Sequence, residues 1–497
     1  MLHLSLAKWS HTDLLIVAAT VVVLVVLVHL VPYLVDSHGL RSYPGPLVAK
    51  FSDAWLGYTT YKGHRSEVVH DLHMRYGPFV RLAPNHISVA LPDAQNIIYG
   101  HGNGALKSSF YEAFRFTSSY NMFTTQDRQI HTRKRKIVSH TFSPRSVLEF
   151  EPHVRHFVGQ LIKQWDRLYD KALKGGLSGQ EGEGWIGREG RLWLDWMGYL
   201  AFDIIGDLAF GAPFGMVKAA KDVVQVPVDQ RAVMGSYGQT GGKYAVKEVP
   251  AIKGGRDHIT ATMGAIPKWL RLLLKRTPFF KQGEEGFRVI FGMAIMGISK
   301  RMQGLPIGQD ELTTEAFSFI VAGSDTTSIS TCAIIYHLAC TPDAQDKLHK
   351  ELDEHLDSDV ATAERVKKLS YLEACINEGL RLHCTVGIGL HRVAADPGMM
   401  ISGNCFPGGT VVKKYRPERW FECDSAAVSK AFTPFSVGPR ACVGRNLAML
   451  ELQIIIASIL QRFHFVLENP EQILEVKEGI LRKPTGCRVG MKRREVF

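Results

Sequence analysis

The segment PFSVGPRACVGRNLAMLELQ, residues 434 to 453, surrounds one thiol with glycine and basic residues. Cys442 lies between Gly438 and Gly444, Arg440 precedes it by two positions, and the residues after it have the apolar spacing of a helix. The positive end of a helix dipole and loop amides directed at sulfur lower a thiol pKa from its usual value of about 8.5. The segment therefore singles out Cys442 as a candidate for chemistry.

A second polar group lies inside a long apolar run. AGSDTT, residues 322 to 327, places Asp325, Thr326 and Thr327 within the helical pattern of residues 311 to 339. Burying polar groups without partners is costly, so the helix must use these side chains. The alternative to chemistry is that the two threonines only back-bond to carbonyls four residues earlier.

A third polar pair follows in EGLR, where Glu378 and Arg381 are three positions apart and share a helix face. Taken alone, such a pair is an ordinary surface ion pair worth under about 1 kcal/mol. Its place between AGSDTT and the cysteine segment is what makes it informative.

The order of these segments resembles that of the cytochrome P-450 family, the haem-thiolate monooxygenases, over nearly the whole chain. The family's FxxGxRxCxG loop is matched at every specified position by Phe435, Gly438, Arg440, Cys442 and Gly444. The resemblance implies a mainly α fold with a small β portion, preceded by one transmembrane helix. It also implies haem b, with Cys442 as the axial iron ligand and Arg440 on a propionate. Because a thiolate ligand favours O–O cleavage, the implied reaction inserts one oxygen atom of O2 into an organic substrate.

The family pattern assigns roles to the polar residues of the long helix. Protons must reach the oxygen that leaves as water, so an acid and an alcohol are needed beside the iron. The resemblance implies that Thr326 is the alcohol and Asp325 the acid, and Thr327 is assigned a structural role.

Other residues carry over as supports of the haem. Arg135 in HTRKR and Arg392 in HRVA match propionate contacts, whereas His391 stands where relatives usually have proline. His131 occupies a position at which many members have tryptophan, and an imidazole can also donate to a propionate. A buried network behind the haem loop is expected from Glu378, Arg381 and Arg419.

Within the family, the chain resembles fungal benzoate 4-monooxygenases, the benzoate para-hydroxylases, in segments such as HTRKRKIVSHTFS and ELTTEAFSFIVAGSDTTS. A benzoate site needs partners for the carboxylate, because a buried unpaired anion is costly. The region between Lys107 and Thr125 is expected to contact the substrate. Its candidate contacts are Lys107, Arg115 and Tyr120.

Composition and cysteine spacing exclude several other classes of protein. The 497 residues are 45% apolar and 22% charged, as in an ordinary globular protein. All eight cysteines lie in the last third and none forms a CxxC pair, which argues against a zinc ribbon, c-type haem attachment and a disulfide scaffold. The net charge of +11 suits nucleic acid, anionic lipid or an acidic protein.

The family resemblance selects the acidic protein. It implies NADPH-cytochrome P-450 reductase as the electron donor, cytochrome b5 as a second partner, and no nucleic acid. Arg133, Lys134 and Lys136 are predicted to form a solvated basic face that would attract the reductase.

The N-terminal region predicts a membrane anchor. Residues 14–35 contain no Asp, Glu, Lys or Arg and, as a helix, would span roughly 30 Å of hydrocarbon. The alternative, a cleaved signal peptide, has a shorter apolar core and a small-residue cleavage site, and none follows here. We expect a lead at 1–13, the anchor at 14–35, a proline-rich hinge at 36–50 and the catalytic domain at 51–497. The predicted location is the endoplasmic reticulum membrane, with a single span and a cytosolic catalytic domain.

The remaining pattern is mostly helical. The alternation in residues 76–92 predicts two short strands around a turn at Pro84 and Asn85. The Gly-rich residues 175–185 predict a loop. Helices are predicted at 131–142, 146–173, 196–211 and 311–339.

Two stretches depart from family length, one near 300–309 and one near 410–416. PGGTVVKKYRPERW, residues 407–420, lacks a strand and a short helix that relatives place before PERW. A missing exon is the favoured explanation and a lineage deletion the second. The missing segment makes an inactive haem-binding remnant one alternative to benzoate hydroxylation, and a secondary-metabolite tailoring hydroxylase is another. A haem enzyme that rearranges its substrate without oxygen would not need the acid–alcohol pair, so Asp325 and Thr326 argue against it.

Overall fold

The computed structural model describes residues 10–91, 94–115, 117–174, 193–230, 244–248, 256–274, 277–301, 309–393, 416–422, 432–467, 469–486 and 489–495. The α-helices of these residues, in chain order, are α1 (His11–Val35), α2 (Ala54–Lys62), α3 (Arg65–Tyr76), α4 (Ala94–Tyr99), α5 (Arg128–Ser139), α6 (Pro144–Leu148), α7 (Glu151–Leu173), α8 (Trp193–Phe210), α9 (Met216–Ala219), α10 (Arg256–Ala265), α11 (Lys268–Leu274), α12 (Pro278–Arg301), α13 (Gln309–Ala339), α14 (Pro342–His355), α15 (Ala363–Val366), α16 (Ser370–Leu382), α17 (Arg419–Glu422) and α18 (Arg445–Arg462).

Helix α1 begins at a capping box. The Ser10 side chain accepts from the Asp13 N–H, and the Asp13 carboxylate accepts from the Ser10 N–H. None of its 25 residues is buried, and the helix is long and apolar enough to cross a bilayer. The other described helix that passes this test, within α13, is mostly buried inside the globule. The apolar N-terminal helix therefore fits a membrane anchor, whereas α13 is a core helix.

The proline-rich hinge is docked onto the first strand. The Arg81 N–H donates to the Pro44 carbonyl over 2.7 Å. A Cβ atom at Gly45 would lie 2.3 Å from the Arg81 carbonyl oxygen, so only glycine allows this approach.

The described strands form five antiparallel pairs. β1 (Phe79–Ala83) pairs with β2 (His86–Val89), and β3 (Leu106–Lys107) pairs with β6 (Arg392–Val393). The other pairs are β4 (Val223–Pro227) with β5 (Tyr244–Glu248), β7 (Phe463–Leu467) with β10 (Val489–Arg493), and β8 (Val476–Glu478) with β9 (Arg482–Pro484). The β3–β6 pair brings Lys107 opposite Arg392 although 285 positions separate them in sequence.

The core is built around α13. Ile320, Ile334 and Ile335 of this helix are fully buried and belong to one large apolar cluster with residues of α7, α8, α16 and α18. Helix α13 is consequently packed against other helices on several sides. A polar side chain in the middle of α13 is held in one place by this core.

The helices predicted at 131–142, 146–173, 196–211 and 311–339 are confirmed as α5, α7, α8 and α13, with ends displaced by a few residues. The predicted hairpin is confirmed as β1 and β2. The predicted loop 175–185, the shortened stretch near 410–416 and most of the stretch near 300–309 lie outside the described residues.

Candidate active site

The loop before α18 holds Cys442 by its backbone. The Cys442 N–H donates to the Phe435 carbonyl over 2.9 Å, and a 3-10 turn over Gly438–Arg440 comes between them. Gly438 has a φ of 73°, and a Cβ there would lie 2.0 Å from the Tyr99 carbonyl oxygen. This glycine of the motif is therefore required by backbone conformation and by contact with α4.

The Cys442 side chain is exposed, but to an internal cavity that it helps to line. Burial raises the pKa of this thiol, while the Gly444 N–H, Arg135 and Arg445 lower it by smaller amounts. The prediction of a lowered pKa is therefore wrong for the chain alone, because removal from water outweighs the loop amide and the two cations. A bound metal ion would reverse this balance, since a coordinating thiol is deprotonated outright.

Helix α13 forms the opposite wall of this cavity, whose volume is about 380 Å³. Ala322, Gly323 and Thr326 line it, and Ala322 is exposed to it although it lies in the middle of a core helix. The Thr326 hydroxyl donates to the Ala322 carbonyl over 2.6 Å. The back-bonding that the sequence left open is thus present, and the same hydroxyl oxygen faces the cavity with acceptor capacity to spare.

Asp325 lies one residue off the cavity wall. Its side chain is buried, and Oδ1 is 3.3 Å from Nζ of Lys483 on β9. Sequence reasoning paired this carboxylate with Thr326 alone and missed Lys483. No sequence signal could have joined residues that are 158 positions apart.

Five cationic or basic side chains lie close to one another, and one of them, Arg440, lines the cavity: the cluster is Lys107, His131, Arg135, Arg392 and Arg440. Lys107 and Arg392 come from the β3–β6 pair, and His131 and Arg135 are one turn apart on α5. None of the five forms an ion pair with an acidic residue in the described parts of the chain.

The mutual repulsion of these groups is visible in their pKa values. Burial and then Arg440 and Arg392 lower the pKa of Lys107 well below its usual value. Burial, followed by Arg440 and Lys107, lowers the pKa of His131 to about 3. Burial and Arg392 lower that of Arg440 to about 10. A buried cluster of one sign without acidic partners is the setting that an anionic group would stabilise.

Hydrogen bonds to backbone carbonyls hold the cluster in shape. Arg440 donates to the Thr125 carbonyl over 2.8 Å, and Lys107 donates to the Phe123 carbonyl. Arg135 donates to the Ala441 carbonyl, next to Cys442. Arg392 donates to the Tyr111 hydroxyl over 3.1 Å. The side chains thus keep N–H groups for a further acceptor.

Glu378 is fully buried and accepts from several donors. Arg381 donates to it from Nε over 2.8 Å and from Nη2 over 3.0 Å, the Arg416 N–H over 3.0 Å and the Trp420 indole over 3.3 Å. The pair is therefore part of a buried network and not a surface ion pair. The side chain of Arg419, the expected third member, lies outside the described residues.

The three substrate candidates are placed away from the cavity wall. Lys107 belongs to the cationic cluster, and Arg115 is exposed and donates to the Tyr120 hydroxyl over 2.9 Å. None of them is among the residues that line the cavity. Their assignment as substrate contacts stays a prediction.

Lys134 also differs from expectation. It is 6% exposed and donates to Glu311 and Glu315 at the start of α13. The prediction that Lys134 belongs to a solvated basic face is wrong, because the amphipathic α5 turns this residue toward α13.

One carboxyl group on the cavity wall was not predicted. The Thr327 hydroxyl donates to Glu451 of α18 over 2.7 Å, which agrees with a structural role for Thr327. Burial raises the pKa of Glu451 to about 7. The available signal was one acidic residue in the apolar run of α18, a pattern that indicates a partnered carboxyl group.

These features together fit a haem. The cavity is lined by a cysteine and by the polar middle of α13. A cluster of buried and half-buried basic side chains, which form no ion pair with an acidic residue of the described parts of the chain, lies beside it, where carboxylates of a bound group would neutralise it. Such a donor set suits a flat group that carries a thiolate-ligated metal and two acidic arms.

Comparison with known proteins agrees with this site. The sequence model of the cytochrome P-450 family matches residues 44–231, 293–413 and 413–491. A benzoate 4-monooxygenase of Aspergillus niger is 38% identical, with 95% of this chain and 96% of the relative covered. A cytochrome P-450 monooxygenase of Penicillium aethiopicum is 28% identical over 91% of this chain and 93% of the relative. A tryprostatin B 6-hydroxylase of Neosartorya fischeri is 27% identical over 86% of this chain and 76% of the relative. The chain belongs to the cytochrome P-450 family of haem-thiolate monooxygenases.

Proposed function

We propose that this monooxygenase hydroxylates an aromatic carboxylic acid of the benzoate type at the ring carbon opposite the carboxyl group. The observation that carries the proposal is the 38% identity to the Aspergillus niger benzoate 4-monooxygenase over 95% of the chain. The cavity supports it, since several aromatic side chains contribute to its wall, among them Phe114, Phe123, Phe287 and Phe317. Aromatic walls favour a flat ring by offset or edge-to-face packing.

The residues of the site take the following roles. Cys442 would hold the iron, and the cationic cluster would hold the two propionates. The bound haem supplies oxygen activation. The Thr326 hydroxyl donates to the Ala322 carbonyl, and its oxygen can at the same time accept a hydrogen bond from a group in the cavity. Asp325, the next residue toward the helix N-terminus, would pass protons to the Thr326 hydroxyl, and its ion pair with Lys483 holds the carboxyl group in place.

Electrons come, in this proposal, from NADPH through a reductase, with cytochrome b5 as a second donor. The basic surface that would attract them includes Arg128 and Lys136 of α5 and Arg445 at the start of α18, which are exposed. The anchor helix α1 would place the catalytic domain on the cytosolic side of the endoplasmic reticulum membrane.

A direct test uses the full chain with a reductase in lipid. We expect the reduced, carbon monoxide-bound protein to show the red-shifted Soret band of a thiolate haem. Benzoate should shift the oxidised haem toward high spin, and turnover should yield 4-hydroxybenzoate. A thiolate haem that gives neither the shift nor the product would favour a tailoring hydroxylase for a larger substrate, a class suggested by the tryprostatin B 6-hydroxylase.

An inactive remnant is the second candidate. The family match breaks at residue 413 and resumes at the same residue, which is the expected result of a segment lost from the chain there. The loss lies between Glu378 and the donors that reach it from residues 416 and 420. If the chain is such a remnant, its haem occupancy should be low and should improve with an insert of family length after Gly409. Full occupancy without the insert would exclude the remnant.

A further inference from the structure

One amide on the cavity wall is oriented by its own loop. Asn121 is 4% exposed and lines the cavity. Its Oδ1 accepts from the Thr124 N–H over 2.7 Å and from the Thr124 hydroxyl over 2.9 Å. A backbone N–H can only donate, so the amide atom that faces it must be the oxygen. The two N–H groups of Nδ2 are thereby turned away from Thr124, and they have no partner among the described residues.

A second free donor lies nearby on α13. The Asn121 loop is tied to this helix, because Thr117 and Thr314 share a hydroxyl hydrogen bond of 2.8 Å and the Met122 N–H donates to Glu315 over 2.9 Å. Ser318 follows these two α13 residues by one helical turn, so it lies on the same face. It lines the cavity, and its hydroxyl has no hydrogen-bond partner among the described residues.

The position of Asn121 separates it from the propionate end. The cations of that end bond to the carbonyls of Phe123 and Thr125, farther along the same loop. Asn121 lies instead where the loop meets the first half of α13, before the turn that carries Ala322 and Thr326. The amide therefore belongs to the part of the cavity that a substrate would occupy above the haem.

We propose that the Asn121 amide, assisted by the Ser318 hydroxyl, binds the carboxyl oxygens of an aromatic acid substrate. The inference rests on the proposed function and names the polar anchor of that site. Both groups offer hydrogens where a carboxyl group offers lone pairs. A buried amide without a partner is costly, so a ligand that accepts from it gains affinity over a ring of the same size that does not.

The decisive variant is Asn121→Asp. Aspartate keeps an oxygen for the Thr124 N–H, so the loop retains its turn, but it replaces the donor group by a second acceptor. The control is Asn103→Asp, which makes the same exchange outside the cavity: Asn103 also caps its own loop, accepting from the Ala105 N–H over 3.0 Å, and its Nδ2 donates to the Ile97 carbonyl over 3.1 Å. Ser318→Ala removes the second donor alone.

The experiment is calorimetric titration of the haem-loaded full-length proteins with benzoate, benzamide and toluene. We expect Asn121→Asp to raise the Kd of benzoate by about tenfold or more and the Kd of benzamide by several-fold. The Kd of toluene should change by less than about twofold. Ser318→Ala should raise the Kd of benzoate by about threefold. Asn103→Asp should leave all three ligands unchanged.

Several results would overturn the inference. Equal losses for toluene and benzoate would show a structural role, a fall in haem content would show a propionate contact, and no loss at all would remove Asn121 from the site. A parent that binds benzoate and benzamide no more tightly than toluene has no polar anchor. The proposed function is judged separately by 4-hydroxybenzoate formation, so selective loss of benzoate binding without product from the parent would overturn that proposal and leave the anchor standing.

Discussion

The two ends of the cavity are built on opposite principles. The cationic end uses Lys107, His131, Arg135, Arg392 and Arg440 from four separate parts of the chain, and most of these side chains are fixed by hydrogen bonds to the backbone. The substrate end is made mostly of apolar and aromatic faces, with a few neutral polar groups such as Asn121 and Ser318.

This difference has a physical cause. Buried charges are costly unless their partners are correctly placed, so the end that holds a charged group tolerates few residue types. Apolar walls are stabilised in proportion to buried area and accept many residues of similar volume. The cationic end therefore carries the family pattern, and the apolar end is where relatives with different substrates can differ.

The largest expected effect is the loss of haem ligation on replacing Cys442, which lines the cavity. Cys442→Ala should abolish the red-shifted band of the reduced, carbon monoxide-bound protein, because no other described thiol lines the cavity. Cys384→Ala, at a thiol outside the cavity, is the control and should keep the band. Retention of the band in Cys442→Ala would refute the ligand assignment.

The next effect concerns the polar middle of α13. Thr326→Ala should leave haem content intact and lower product formation by about a hundredfold, the usual size of a lost proton-transfer group. The missing reducing equivalents should appear as hydrogen peroxide, so oxygen uptake, peroxide and product are measured together. Equal coupling in variant and parent would exclude Thr326 from proton delivery.

At the cationic end, Lys107→Met should weaken haem binding by about ten- to a hundredfold, since it removes a charged donor to a propionate. The same change should stabilise the haem-free chain, because burial and the neighbouring Arg440 and Arg392 disfavour the charged form of this amine. Lys136→Met, at an exposed lysine of α5, is the control. Tight haem binding by Lys107→Met would place Lys107 outside the propionate site.

The smallest effect is a pH dependence. Burial lowers the pKa of His131 to about 3 from its ordinary value of 6.5, so the unfolded chain binds a proton that the folded chain does not between these values. The free energy of unfolding of the haem-free protein should therefore fall with decreasing pH below 6.5. His131→Gln should reduce this slope by about 1.4 kcal/mol per pH unit, measured by urea unfolding. Identical slopes would show that His131 is accessible to protons in the folded chain.

Local sequence was sufficient for some features of the protein. The apolar N-terminal helix, the hairpin β1–β2 and helices α5, α7, α8 and α13 follow from periodicity and turn residues that lie within one segment. The loop around Cys442 follows from a motif in which Gly438 meets a requirement of its own backbone conformation, a φ of 73°. Properties of this kind depend on neighbouring residues, so one segment is enough to predict them.

Tertiary structure alone decided which polar groups meet and how they are charged. The raised pKa of the Cys442 thiol, the pairing of Asp325 with Lys483 and the burial of Lys134 against Glu311 and Glu315 all result from packing between distant segments. The position of Lys107, an expected substrate contact, beside Arg392 and Arg440 also results from packing between distant segments. Desolvation and charge interactions depend on distance in space, and a pattern along the chain carries no measure of that distance.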